Sequence, residues 1–311
     1  MQARNPAKMA PQTYVTGCAG VLGYEILRAL TEAGQPVTGI SRSALPEGAR
    51  ALPHVRVSDA LHPGWLAPGD AGATIVHCAG LSDARRRFAS IGAVMQDVTA
   101  PQTAFVEALV ARGWRGHFVY LSTAAVYGDT DDLPIPETRE PQPKGYYALH
   151  KLAVEEALLF LAAQHGFRLT ILRLGNPYGT AMPGRERGVM RLLLDALASG
   201  AAFTVYGSGE TSRDYLHMDD FCGAVERVVH GALPNPVTRL NLGAGEGCSL
   251  NALVAQMEAA TGRQLNLVTE PSALEVKSSV LDIARARQVL GWAPRVALDE
   301  GLARMVADYG L

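Results

Sequence analysis

Thr13-Tyr14-Val15-Thr16-Gly17-Cys18-Ala19-Gly20-Val21-Leu22-Gly23 carries a short β-rich run straight into three glycines at three-residue intervals. Beyond it Ile26, Leu27 and Leu30 recur at helical spacing, and Gly34 ends the pattern. The order is therefore strand, glycine turn, helix. Glycine permits the tight turn and lets backbone N–H groups approach an anion, and the helix N-terminus adds a partial positive charge. In this context the loop points to the pyrophosphate of a dinucleotide. As a bare pattern Gly-x-x-Gly-x-x-Gly is weak, because the chain holds 32 glycines in 311 residues; a turn with close helix–strand packing is the competing reading.

Further apolar strand candidates follow at Val37 to Ile40, Val55 to Val57, Thr74 to Cys78, Phe118 to Leu121 and Leu169 to Leu172, with helical stretches at 91–112 and 147–165. Buried strands alternating with helices imply an α/β protein whose parallel sheet is covered on both faces. After Arg173 the rhythm changes to shorter elements punctuated by Gly and Pro. The expected division is a dinucleotide-binding domain at 12–175, with 214–248 returning to it and Leu240 to Leu242 as a strand of the first sheet. Residues 176–213 and 249–311 form a smaller mixed α/β substrate lobe, and residues 1–11 a loose tail.

The composition excludes several classes. At 48% hydrophobic and 19% charged residues the chain is a packed globular protein. A formal net charge of −2 supplies no global field for nucleic acid or an anionic membrane. Arg85-Arg86-Arg87 reads as a solvated face. No apolar run reaches the ~20 residues that span a bilayer, and the N-terminus lacks an apolar signal core. Cys18, Cys78, Cys222 and Cys248 are scattered without Cys-x-x-Cys spacing, so no metal site is expected and a reducing cytoplasm fits.

The chemistry concentrates in Gly145-Tyr146-Tyr147-Ala148-Leu149-His150-Lys151. Tyr147 and Lys151 stand four residues apart, one turn along one helical face. A cation about 4 Å from the phenol, at an effective dielectric near 20, would favour the phenolate by roughly 4 kcal/mol, about three in pKa before desolvation is subtracted. Such a phenolate can take a proton from an alcohol. Tyr146 lacks that spacing and reads as a packing residue. At the end of the second strand stands Ser41-Arg42-Ser43, with no carboxylate to hold a ribose 2′-hydroxyl. Arg42 suits a 2′-phosphate, which leans the cofactor towards NADP over NAD, unless it is merely a solvated loop charge. Asp59 is a candidate for the adenine amino group or a turn residue.

Several motifs then resemble the extended short-chain dehydrogenase/reductase family, in its nucleotide-sugar epimerase/dehydratase branch. They are the glycine loop, Leu121-Ser122-Thr123-Ala124-Ala125-Val126-Tyr127-Gly128, Tyr147-x-x-x-Lys151, Arg173-Leu174-Gly175-Asn176-Pro177-Tyr178-Gly179, Arg213-Asp214-Tyr215-Leu216-His217-Met218-Asp219-Asp220, Asn241-Leu242-Gly243-Ala244-Gly245 and Leu290-Gly291-Trp292-x-Pro294. The resemblance runs from about Thr13 to Tyr309. It implies a Rossmann-type doubly wound parallel sheet and NAD or NADP as cofactor. Gly17, Gly20, Val21, Leu22, Gly23, Ser41, Arg42, Asp59, Ala79 and Lys151 would touch the cofactor. Tyr147 would be the acid/base, Lys151 its modulator, and Thr123 the hydroxyl on the reacting sugar oxygen, with Ser122 the neighbouring alternative. Asn176 and Arg213 would bind a nucleoside-diphosphate sugar; an ion pair of Arg213 with Asp214, Asp219 or Asp220 is the other reading. Departures from the pattern include Asp97 where Asn is common and His150 where Ser is common.

Dehydratases of this branch place Asp-Glu after the threonine; Ala124-Ala125 stand there and do no acid–base work. What remains needs only Tyr147, Thr123 and the nicotinamide. The expected activity is epimerisation of a sugar hydroxyl, at C4, through a keto intermediate. A 4-keto-sugar reductase using NADPH is the alternative, and a non-catalytic dinucleotide sensor a third. The helix after Tyr147 is apolar on nearly all faces from Ala157 on, and with segment 91–112 it predicts a homodimer built as a four-helix bundle. Residues 81–95 are a candidate lid.

Overall fold

The computed structural model describes residues 12–81, 86–182, 188–271 and 277–311. The loose-tail expectation for 1–11, Arg85, and part of the 81–95 lid lie outside them. The elements in chain order are β1 (Thr13–Thr16), α1 (Val21–Glu32), β2 (Val37–Ser41), β3 (Val55–Val57), β4 (Thr74–His77), α2 (Ile91–Val94), α3 (Ala100–Ala111), β5 (His117–Thr123), α4 (Tyr146–His165), β6 (Arg168–Leu174), β7 (Asn176–Tyr178), α5 (Gly188–Ser199), β8 (Ala202–Tyr206), β9 (Ser212–His217), α6 (Met218–His230), β10 (Val237–Leu242), β11 (Gly247–Ser249), α7 (Leu250–Thr261), β12 (Asn266–Glu270), α8 (Ala284–Leu290) and α9 (Leu298–Tyr309).

β1, β2, β4, β5 and β6 are wholly or almost wholly buried, which is why their residues read as apolar runs and not as alternation. They form one parallel sheet in the order β10-β6-β5-β4-β1-β2-β3. The sheet is doubly wound. One face packs on α1, α6 and α8 through Ile26, Leu27, Leu30, Phe221 and Leu290, and the other on α3 and α4 through Phe105, Leu109, Leu158 and Leu161. The winding reverses at β1, whose neighbours are β2 and β4, and this opens a crevice at the carboxyl ends of the strands. Smaller sheets, β11-β9-β7 and β12-β8, sit with α5, α7 and α9 around their own core of Leu193, Leu194, Leu253, Met257 and Leu302. Residues 284–292 fall in the range assigned to the second lobe, yet Ala286, Leu290 and Trp292 belong to the core of the first, where the Trp292 indole N–H donates to the Asp220 carbonyl at 3.0 Å.

A polar knot locks α4 to the sheet. Parallel register sets Ser122 of β5 beside Arg173 of β6. Glu155 of α4, fully buried, reaches both: the Ser122 hydroxyl donates to it, and Arg173 donates from Nε at 3.1 Å and from Nη2 at 2.6 Å. The guanidinium also lies 4.7 Å from the centre of the Tyr127 ring. Breaking a buried pair by removing one partner costs about 3–5 kcal/mol, because the other charge stays buried. Glu155→Gln is therefore expected to lower unfolding stability in urea by about 3 kcal/mol, whereas Glu156→Gln on the exposed side of the same helix should stay within about 0.5 kcal/mol.

Among the described residues four histidines are buried, and burial lowers the pKa of each; in three of them, His77, His117 and His150, it falls to about 4 or below. His77 receives the Thr16 hydroxyl on Nδ1 at 2.8 Å and donates from Nε2 to Gln102 at 2.5 Å. Burial holds its pKa down at about 4 against the opposing hydrogen bond to Gln102, and the nearby Lys151 charge adds a smaller push downward. His117, hydrogen-bonded to Thr170 at 2.8 Å, is lowered to about 3 by burial and then Arg168. His150, 3.5 Å from the Thr99 hydroxyl, is lowered to about 3 by burial and then Lys151. Each binds a proton in the unfolded chain near pH ~6.5 but not in the folded one, so its stabilisation is complete above that pH and is lost as pH falls towards the folded value. Stability measured from pH 7 to 5 should fall with a slope approaching three protons, and His117→Gln should remove about one of them.

Candidate active site

The crevice is a cavity of about 470 Å³ at the carboxyl ends of β1, β2, β4, β5 and β6. That is within the usual range for a cofactor or ligand site. Its dinucleotide end is built of backbone. Gly17 has φ +74°, and a Cβ there would stand 2.7 Å from the Ala79 amide; a Cβ on Gly23 would stand 2.5 Å from the Gly17 carbonyl. Both glycines are needed because β1, the loop and α1 pack in contact. Gly20 precedes α1 without any side-chain cap, so the first-turn amides at Val21 and Leu22 face the cavity. A side-chain-free cradle under an uncapped helix N-terminus fits a pyrophosphate.

Around this end the wall includes Ser41, Arg42 and Ser43 after β2 and Ala79 after β4. Asp59 is different: its Oδ1 accepts the Leu61 amide at 3.0 Å in an exposed turn, and its neighbour Ala60 forms the wall. An Asp two residues before a free N–H closes on its own backbone, which is the turn alternative for Asp59; its Oδ2 takes no part in that bond.

The reactive end gathers Thr123, Tyr147 and Lys151 on the wall. Thr123 ends β5, and its hydroxyl accepts the Ala125 amide at 3.2 Å and favours the ionised form of the neighbouring Tyr147 phenol. Lys151 Nζ donates to the Leu121 carbonyl at 2.8 Å, lies 4.9 Å from the Tyr120 ring centre and 5.9 Å from that of Tyr147. Burial lowers its pKa from 10.5 to about 8, with Cys78 and then Glu155 pulling the other way. The simple electrostatic expectation for Tyr147 is overturned. Burial raises the phenol's pKa, and the Thr123 hydroxyl, not Lys151, is what opposes it. The ammonium donates to a carbonyl and lies over a second ring.

Ser122 also lines the cavity, but its hydroxyl donates to Glu155 in the core, whereas that of Thr123 accepts the Ala125 amide. Tyr146 packs edge-on against Phe88 with ring centres 6.1 Å apart. Asp97 is exposed, in a π-turn at Met95–Thr99 that leads into α3.

Asn176 and Arg213 lie outside the cavity wall, on the neighbouring strands β7 and β9. Asn176 Nδ2 donates to the Asp214 carbonyl at 3.2 Å. Arg213 forms no ion pair with the expected aspartates: its Nη1 donates to the carbonyls of Ser212 at 2.9 Å and Lys277 at 3.0 Å. Asp214 is occupied by the amides of Ala244, Gly245 and Leu281. Asp220 accepts the Val296 amide, and Asp219 meets Arg304 at 3.1 Å.

Sequence reading missed Glu155, although it stands four residues beyond Lys151 on the same helical face, and Glu25, a carboxylate within the buried stripe of α1. It also missed the Thr180–Met182 part of the wall, which has no motif of its own. Among the described residues no His/Cys/Asp/Glu group could hold a metal, and no helix is long and apolar enough to cross a membrane.

Known proteins agree with this geometry. The chain is 32% identical over 190 residues to a UDP-glucose 4-epimerase of Mycolicibacterium smegmatis, a match spanning 60% of this chain and 60% of that protein. It is 29% identical to the UDP-glucose 4-epimerase of Azospirillum brasilense, covering 96% of this chain and 92% of the relative. Its fold superposes on MoeE5 in complex with UDP-glucuronic acid and NAD with a TM-score of 0.82 at 26% identity, over 96% of this chain and all (100%) of the other. The sequence model of the NAD dependent epimerase/dehydratase family matches residues 13–243, most of the main sheet and its crevice, and the chain belongs to that family.

Proposed function

We propose that the protein is an NAD(P)-dependent nucleotide-sugar epimerase that oxidises and re-reduces a sugar hydroxyl, at C4, through a keto intermediate. One observation carries the reading: Tyr147, Thr123 and half-buried Lys151 stand together on the wall of the cavity that the glycine loop opens. The first lobe would hold the cofactor, and the lobe carrying Asn176 and Arg213 the nucleotide end of the sugar. Bound nicotinamide supplies the hydride acceptor and returns the hydride.

Tyr147 takes the hydroxyl proton as the C–H hydride leaves, and gives it back when the hydride returns to the other face of the ketone. Thr123 holds the reacting oxygen against the phenol. With a pKa of about 8, Lys151 is mostly protonated at pH ~7 and supplies positive charge at the ribose end of the cleft. Ala124 and Ala125 follow Thr123, and the one carboxylate beneath it, Glu155, is bound to Ser122 and Arg173. Tyr147 therefore handles the proton without a second acid, which suits hydride exchange and not elimination of water. Arg213 approaches a diphosphate with the part of its fork not spent on the Ser212 and Lys277 carbonyls.

Arg42, on the wall after β2, supports NADP over NAD and favours the second reading, an NADPH-dependent 4-keto-sugar reductase using the same Tyr147 as proton donor. The four cysteines are all free, which suits a cytoplasmic enzyme.

The active form we propose is a homodimer. Phe160 of α4 is 64% exposed, and Ala104, Glu107, Glu156 and Ala163 share the outer surfaces of α3 and α4 with it. Two copies meeting there would make a four-helix bundle.

Incubated with a UDP-hexose, the protein should give its C4 epimer and release bound NAD or NADP on denaturation for mass spectrometry. Tyr147→Phe should lower turnover by about 10³-fold and leave nicotinamide binding within about threefold. Wild-type turnover in that variant removes Tyr147 from the chemistry; an empty protein that oxidises NADPH with a 4-keto sugar makes the reductase reading the correct one. Light scattering at micromolar concentration should give a dimer, and Phe160→Glu a monomer; a monomeric wild type rules the bundle out.

A further inference from the structure

Glu25 is a carboxylate with 0% exposure, on α1 two residues beyond the last loop glycine. The positions beside it are Ile26 and Leu27, and a residue that only packed there would be apolar. Burying a carboxylate is costly unless donors surround it. Here they come from two directions. Oε1 accepts the Thr180 hydroxyl at 2.5 Å and the Ala181 amide at 2.6 Å. Oε2 receives Arg28 Nε at 3.0 Å.

Thr180 and Ala181 belong to a short strap that follows β7. Gly179, Thr180 and Met182 of this strap form cavity wall together with Gly20 and Val21. The strap is folded on itself, since the Thr180 oxygen also accepts the Met182 amide at 3.0 Å. Gly179, at φ +80°, lies so close to the His217 ring that a Cβ there would stand 2.6 Å from its Nε2. Glu25 is thus where the second lobe's first loop is bound to the helix that caps the cofactor loop. Beyond it Arg28 continues to Glu32 at 2.8 Å and to Asp219 at 3.7 Å, and Asp219 meets Arg304 of α9.

We propose that Glu25 is a positioning residue that pins the 179–182 strap across the dinucleotide cavity and so retains the nicotinamide cofactor between the two hydride transfers. The purpose of retention rests on the epimerase reading; the pinning does not. A keto intermediate formed in the cleft is returned to alcohol only while the reduced cofactor stays beside it. A strap tied to α1 by two donors to one carboxylate slows escape without touching the reacting atoms.

The test is the release rate of NADH and NADPH, followed by nicotinamide fluorescence after rapid mixing with excess oxidised cofactor, with no sugar present. Glu25→Ala and Thr180→Val should each release the tighter-bound cofactor about tenfold faster, the effect of one strong hydrogen bond. The double variant should be little faster than the faster single one, because both act on the same contact. Glu25→Gln keeps the Oε1 acceptor and should recover most of the retention, to within about threefold of wild type. Release within about twofold of wild type in Thr180→Val overturns the proposal, as does multiplication of the two single effects in the double variant. So does release from Glu25→Gln as fast as from Glu25→Ala. If Glu25→Ala fails to fold, Thr180→Val, a change confined to the strap, decides. Absence of C4 conversion by the wild type would remove the epimerase reading and leave these release rates unaffected.

Discussion

The ion pair between Glu155 and Arg173 is the constraint on which the candidate site depends. It joins α4 to β6, and through the Ser122 hydroxyl to β5, at a point where none of the three groups meets water. Tyr147, Lys151 and Glu155 follow one another at four-residue spacing along α4. With the last of them fixed in the core, the rotation of the helix about its axis is set, and the first two are delivered to the cleft. The same knot decides the roles of two adjacent hydroxyls. Ser122 turns inward to the carboxylate, and Thr123, one residue on and on the opposite side of the strand, turns towards the phenol.

Burial acts on the two reactive groups in opposite directions of charge but towards the same end. It raises the Tyr147 phenol and lowers the Lys151 ammonium, so both are pushed towards neutrality. The lysine, at about 8, keeps most of its charge at neutral pH; the phenol stays protonated. Under the proposed reading Tyr147 would act as a base only with further stabilisation of its phenolate, which the positive charge of a bound oxidised nicotinamide would supply. Glu155 contributes from below, since its charge raises the lysine that burial lowers.

Much of the architecture could be read from the chain because it depends on periodicity. Strands buried on both faces leave unbroken apolar runs, and β1, β4, β5 and β6 lie where those runs are. The glycine loop was legible because its spacing answers to one steric fact, the contact of Gly17 with the β4–Ala79 backbone. Less legible was the choice of a side chain that has two partners open to it. Asp59 closes a turn on Leu61, Ser122 donates to Glu155, and Lys151 donates to the Leu121 carbonyl and lies over the Tyr120 ring. Spacing places two residues on one face; it does not say which way a long side chain then bends. For Arg213 the competing ion-pair reading falls away, since three acids near it in sequence are taken by backbone amides and by Arg304, and its own bonds go to carbonyls.

Glu25 and Glu155 share a logic that helps in reading such chains. Each is an acid inside a stripe that should be apolar, and each joins elements distant in sequence: α1 to the strap at Thr180, and α4 to β5 and β6. An acid in that position is expensive unless donors from elsewhere converge on it, so its presence predicts a junction even before the partner is known. The two junctions lie at opposite ends of the cleft. One fixes the residues that move a proton, and the other holds the wall beside the dinucleotide loop. Neither carboxylate is free to act on a substrate, so the chemistry left to the cleft is the one that Tyr147 and a hydride carrier can perform together.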